Sequence, residues 1–403
     1  MTDQSVAGRR NNSASSKGLS YDENRPRRRS GRVRKKFKAF SVRFGMDLPF
    51  FLLVLVLVVI GLVMMFSASY ANASYYFGDS YYFIKRQAAF AAVGIAVMIG
   101  VSYFDYHHFH KFAIPVLLIS FAMLALVLVM PEIKKVHRWI SLGALGQFQP
   151  SEIAKFAIVL VFAHLISLNF SRMGTFRYGV LPYVIILAIT AALLLMEPHV
   201  SATVIILILG AVMLFIGGVK FRWFAVAIGI AGAGMAYLIA FSGKVGYASG
   251  RIAGWLDPLS TWQTRQSLYA IGSGGLLGLG LGQSRQKYLY LPEPQNDFIF
   301  AIVCEELGFI GALVIIILFA MLVWRGITIS LHAQDKFGML LGIGITLQVG
   351  LQVVLNIAVV TNTIPNTGIS LPFFSYGGTS LVILLAEMGI VLSISRTSSV
   401  EKT

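Results

Sequence analysis

A chain of 403 residues that is 57% hydrophobic and only 12% charged has too little polar surface to clothe a water-soluble globule, so most of it belongs in a bilayer. The formal net charge of +16 looks like a nucleic-acid signature, but the Arg and Lys residues crowd between Arg9 and Arg43, ahead of the first apolar run. That placement sets nucleic-acid binding aside, and a single cysteine, Cys304, excludes an intrachain disulfide.

Residues 1–46, rich in Ser and Asn as well as Arg, read as a disordered basic cytoplasmic tail, with adhesion to anionic lipid as a secondary role. The apolar run from Leu48 is too long for the core of a signal peptide and no cleavage site follows it. Hydropathy predicts ten spans, near 48–68, 83–103, 112–130, 152–168, 179–196, 200–217, 222–241, 298–324, 337–360 and 376–395. The expected fold is therefore all-α and polytopic, with a membrane domain at 47–396 and a cytoplasmic tail at 397–403. Both termini fall in the cytoplasm by the positive-inside rule. Arg172, Arg177, Lys220, Arg222, Arg325, Lys336, Arg396 and Lys402 then lie inside, and the turn around Asp79 lies outside.

Three outward segments stand out in this topology. The first, residues 131–151, holds Lys134, Lys135, Arg138 and Trp139. The second, 242–296, is a long extracytoplasmic loop between spans seven and eight, with Arg251, Trp255 and Trp262. The third, 361–376, is broken by Pro365, Gly368 and Pro372; such backbone near membrane depth needs protein or a water-filled cavity to satisfy it.

Residues 291–308 (LPEPQNDFIFAIVCEELG) join the long loop to the eighth span. Asp297 stands at that junction, where a carboxylate serves equally as a helix N-cap or as a catalytic group. Glu305 and Glu306 follow inside the apolar run, and Glu152 and Lys155 sit three apart at the start of the fourth span, close enough to pair. Ionisable groups at such depth are costly and mark functional or site-supporting positions. Glu197, Pro198 and His199 read as an interfacial turn. The glycine-rich run 272–282 lacks the Lys-Ser or Lys-Thr of a phosphate loop, so no nucleotide is expected. His107, His108 and His110 have no acid or cysteine beside them that suggests a metal site and read as surface residues.

The motifs RWISLG (138–143), FQPSEIAK (148–155), QSLYAIGSGG (266–275), the 291–308 stretch and NTIPNTGISLPFFSYGGTS (362–380) occur in this order between the expected spans. Together they resemble the SEDS family (shape, elongation, division and sporulation) of bacterial cell-wall membrane proteins, its division and sporulation branch more than its elongation branch. The resemblance runs from about Asp47 to Arg396. Cys304 stands where the family pattern has a small glycine, a difference of packing.

The resemblance implies a ten-helix SEDS fold and a glycosyltransferase that polymerises lipid II at the outer face of the bacterial cytoplasmic membrane, in septal wall synthesis or in a sporulation or elongation counterpart. It implies a class B penicillin-binding protein and other division proteins as partners. A sugar hydroxyl is a poor nucleophile, so a carboxylate that takes its proton helps by about 10²–10⁴; Asp297 is the implied base. Arg138, Trp139, Glu152, Lys155, Ser375 and Tyr376 are the implied substrate contacts. Charge on the leaving pyrophosphate would be met by Arg138, Lys155 or a divalent cation, Mg or Mn. Two other classes remain: a lipid flippase with a polar path through Glu152, Lys155, Glu305 and Glu306, and a noncatalytic scaffold.

Overall fold

Long runs of Leu, Val, Ile and Phe without charges become helices because backbone in hydrocarbon must satisfy its own hydrogen bonds. A computed structural model of the chain describes residues 45–131, 138–141, 143, 147–226, 229 and 254–398. Nearly all of the basic tail, most of the seventh expected span, the long loop up to 253 with Arg251, Lys134, Lys135 and residues 399–403 lie outside the described residues.

The helices are α1 (Leu48–Phe77), α2 (Tyr82–Tyr103), α3 (Phe109–Val127), α4 (Pro150–Asn169), α5 (Leu181–Met196), α6 (Val200–Ile216), α7 (Trp262–Gly274), α8 (Ile299–Leu331), α9 (Lys336–Val360) and α10 (Gly378–Thr397). Among the described residues, eight helical segments are long and apolar enough to cross a membrane, and α6 is apolar but shorter. The chain is a multi-pass membrane protein. One departure from the all-α expectation is a small antiparallel hairpin in the first outward segment, β1 (Ile140–Ser141) with β2 (Gln147–Phe148), Ile140 opposite Phe148.

Side-chain exposure explains why these helices need lipid. On α1, Leu52, Val56, Val59 and Val63 are exposed at helical spacing, while Val54, Leu57, Val58 and Met65 are buried. A helix apolar on both its faces is stable only where its outer face meets hydrocarbon. One end of the bundle is tied by polar contacts. Asp47 caps α1 through the Phe50 amide (3.0 Å) and pairs with Arg325 near the end of α8 (2.7 Å). Its own amide donates to Ser395 of α10 (3.0 Å). Asp335 caps α9 and accepts the Tyr106 hydroxyl at 2.5 Å.

The eighth expected span proves to be two pieces. α8 is interrupted at Gly308, whose φ of 68° and ψ of −170° are not helical. Residues 299–306 are buried inside the protein, whereas Phe309, Ile310, Leu313 and Val314 are exposed, so the lipid-facing part begins after the kink. The glycine-rich run packs into this break. The amides of Leu279 and Gly280 donate to the carbonyls of Glu305 and Glu306 (both 3.0 Å), and those of Phe309 and Ile310 donate to Gly275 and Leu276 (2.9 and 3.1 Å). A Cβ at Gly278, whose φ is 81°, would lie 2.1 Å from the Glu306 carbonyl oxygen. The glycines are there for that close backbone contact.

Candidate active site

Asp297 lies just before α8, whose cap position is Phe298 and makes no side-chain capping bond. The segment carrying it is braced by the third outward segment. Asn356 Nδ2, fully buried on α9, donates to the Asp297 carbonyl (2.9 Å) and to the Ile369 carbonyl (2.6 Å). Ser375 Oγ donates to the Asn296 carbonyl (2.6 Å) and accepts the Leu371 amide (2.8 Å), and the Tyr376 amide donates to the Gln295 carbonyl (2.8 Å). Gly368, at φ 71°, sits so close that a Cβ there would be 2.9 Å from Asp297 Oδ2.

This corner opens on a cavity of about 1280 Å³, and Asp297, Arg138, Trp139, Glu152, Lys155, Ser375 and Tyr376 all line it. Lys155 is buried and holds Glu152 at 2.9 Å, as their spacing predicts. Arg138 Nε donates to the Glu197 carbonyl at 3.2 Å and its Nη2 to the Pro198 carbonyl, which fixes the guanidinium at the cavity edge. Ser375 lends its hydroxyl to the brace. Tyr376 packs edge-on against Phe83, ring centroids 4.8 Å apart.

Sequence reasoning passed over two polar residues that line the same cavity and read a third only as part of an interfacial turn. Arg86 of α2 lies over the Tyr82 ring at 4.5 Å. Glu387 of α10 is buried and accepts from Gln348 of α9 at 2.9 Å. Both interrupt apolar runs (IKRQAAF and LLAEMG), the same signal that drew attention to Glu152. His199 is the third. Burial, with Arg138 and Lys155 nearby, pushes its pKa down to about 3, so the ring is neutral at pH 7. Its neighbour Glu197 is fully buried, and among the described residues its carboxylate oxygens have no hydrogen-bond partner. Burial pushes that pKa up to about 8, against the pull of Arg138.

Glu305 and Glu306 face protein, as costly ionisable groups at that depth must; among the described residues they do not line the large cavity but anchor the loop after the glycine run. Glu306 accepts from Ser67 Oγ (2.7 Å), the Gly282 and Ser284 amides (3.0 and 3.2 Å) and buried Lys287 (3.0 Å). Glu305 accepts from Ser284 Oγ (2.5 Å) and the Arg285 amide (2.9 Å). The histidine cluster does have partners. His107 Nδ1 lies 2.6 Å from Asp105, and His110 Nδ1 meets His164 Nδ1. Among the described residues, no three or more His, Cys, Asp or Glu side chains gather as a metal site.

The described geometry lies within the part of the chain, residues 47–400, that matches the family model described as "Cell cycle protein", FtsW/RodA/SpoVE. The chain belongs to this SEDS family. Stage V sporulation protein E of Bacillus subtilis is 42% identical over 367 residues, covering 87% of this chain and 97% of that protein. A probable peptidoglycan glycosyltransferase FtsW of Geobacter sp. is 38% identical over 360 residues, covering 87% and 97%. Among solved SEDS-like structures, a peptidoglycan synthase complex described by its coordination of polymerization and crosslinking matches with a TM-score of 0.72 and 26% identity, covering 88% of this chain and 98% of that one. The rod shape determining protein RodA of Thermus thermophilus, in a mutant form, matches at 0.65 and 26%, covering 89% and 100%.

Proposed function

We propose that the chain is a peptidoglycan glycosyltransferase that polymerises lipid II at the outer face of the bacterial cytoplasmic membrane. The observation that carries this reading is Asp297, on a segment braced through its backbone, lining a cavity that also holds Arg138, Lys155 and Arg86. The FtsW names of its relatives and its likeness to a peptidoglycan synthase complex support it.

In this reading Asp297 takes the proton from the acceptor's 4-hydroxyl as that oxygen attacks the anomeric carbon of the donor. The departing pyrophosphate gains negative charge, and the fixed cations of the cavity stabilise it more strongly there than in water. Lys155 is held for this by Glu152, and Trp139 offers a flat face to a sugar. A divalent cation, Mg or Mn, would have to come with the pyrophosphate, since hard cations use substrate phosphates with one or two carboxylates. The topology that suits this chemistry has ten spans, both termini inside and the long loop outside. A class B penicillin-binding protein is the partner that would crosslink the product, with the division septum as the site. A flippase would use a polar path through Glu152, Lys155, Glu305 and Glu306; the first two line the cavity, but the last two are tied up in anchoring a loop.

The test is Asp297→Asn in purified full-length protein given lipid II, with product strands resolved on a gel. Asparagine keeps the size and hydrogen bonding but cannot accept the proton. The expected result is a stable protein whose rate falls by about 10²–10⁴. Polymerisation near the wild-type rate by the folded variant would remove Asp297 as the base.

A further inference from the structure

Asp297 borders a second, smaller cavity of about 330 Å³, which shares Arg138, Asp297 and Gly368 with the large one. The two spaces meet at the carboxylate, and their chemistry differs. The small cavity is walled by the Trp255 indole, the Gln263 and Asn362 amides and the hydroxyls of Thr261 and Thr367. Arg138 and Asp297, both at the shared edge, are its only charged lining groups among the described residues. The Thr367 hydroxyl is buried without a hydrogen-bond partner among the described residues. An aromatic face among neutral donors and acceptors suits a carbohydrate, whereas a pyrophosphate calls for the cations found in the large cavity.

Size separates the two as well. A volume of about 330 Å³ lies at the low end of the roughly 300–1,000 Å³ typical of small-molecule sites and takes one sugar-sized group. The large cavity exceeds that range. A glycosyl transfer places different demands on its two substrates. The donor brings its anomeric carbon, its pyrophosphate and any strand already made; the acceptor presents a terminal sugar with a free hydroxyl.

We infer that the smaller cavity seats the terminal sugar of the acceptor, held by Trp255 and Gln263, while the larger one holds the donor and its pyrophosphate. This rests on the glycosyltransferase reading above. The acceptor O4 forms a bond to the donor C1, and the C1–O bond to pyrophosphate breaks with its electron pair leaving on the phosphate. The O4 proton passes to Asp297, which lies where both cavities meet.

The experiment separates the two substrates. A lipid-linked disaccharide whose terminal 4-hydroxyl is methylated can donate but not accept; its phosphonate analogue with a free 4-hydroxyl and no cleavable C1–O bond can accept but not donate. Coupling the two on the full chain in detergent gives one product and a separate KM for each. Trp255 is partly exposed, so Trp255→Ala should fold. It is expected to raise the acceptor KM about tenfold, as loss of a Trp contact does elsewhere, and to leave the donor KM within about twofold. Gln263→Ala carries the same expectation and serves if Trp255→Ala cannot be purified folded. A rise on the donor side, an equal rise on both, or no change would overturn the assignment. If the wild-type chain couples the pair and only the variants fail to shift the acceptor KM, the subsite assignment alone is wrong. If the wild type neither couples them nor polymerises lipid II, the glycosyltransferase reading fails with it.

Discussion

Replacing Gly368 with alanine probes how tightly the Asp297 carboxylate is placed. The new Cβ would stand 2.9 Å from Oδ2, and the backbone there has φ 71°, in the left-handed region that costs a residue with a Cβ about 1–2 kcal/mol. Ordinary contact needs roughly another 0.5 Å, and because the Asp297 backbone is pinned by Asn356, the shift falls on the carboxylate end of the side chain. A displacement of about 1 Å in a reacting group costs about 10²-fold, so half that distance predicts a fall in kcat of about tenfold. The assay is strand synthesis from lipid II at saturating substrate, with thermal unfolding in detergent measured alongside. The double variant Gly368→Ala/Asp297→Asn should be no slower than Asp297→Asn alone, because the glycine acts only through the carboxylate. Wild-type kcat in Gly368→Ala would show that the contact does not set the reacting geometry. A further tenfold loss on the Asp297→Asn background would show that Gly368 acts elsewhere.

Other consequences follow from the buried polar groups. Glu306→Ala leaves Lys287 buried without its carboxylate and should destabilise the protein by about 3–5 kcal/mol, seen as loss of folded protein on size exclusion; retention of wild-type stability would mean that the loop is held by its backbone bonds alone. Lys155→Ala should impair folding or activity by leaving Glu152 without its partner, and the charge-swapped double variant should fold better than either single swap. Glu197, with its pKa raised from 4.5 to about 8, contributes stability that is full below pH 4.5 and is lost as pH rises to 8. His199, lowered from 6.5 to about 3, contributes stability that is full above pH 6.5 and is lost as pH falls to 3. The two oppose each other between 4.5 and 6.5, so melting temperature should fall from pH 6.5 to 8 in the wild type, and Glu197→Gln should flatten that fall.

The membrane class, the described apolar helices and the family were legible in the chain because apolar runs and ionisable residues within them have few solutions in hydrocarbon. The Glu152–Lys155 pair was readable for a local reason: residues three apart share a helical face. What the tertiary structure alone decided is which distant groups meet. Position marked Glu305 and Glu306 as costly ionisable groups, but only the break at Gly308, which folds residues 272–287 onto them, makes them anchors. Arg86 and Glu387 each interrupt an apolar run, but they lie about 300 residues apart in sequence, and only the packing of α2 against α10 brings both to one wall. Asn356 gives no sign in sequence that it binds the carbonyls of Asp297 and Ile369, since those bonds depend on where two broken loops come to rest. Periodicity and charge report the environment of each residue along its own helix. The site lies between segments, and its geometry is set by contacts that no local pattern records.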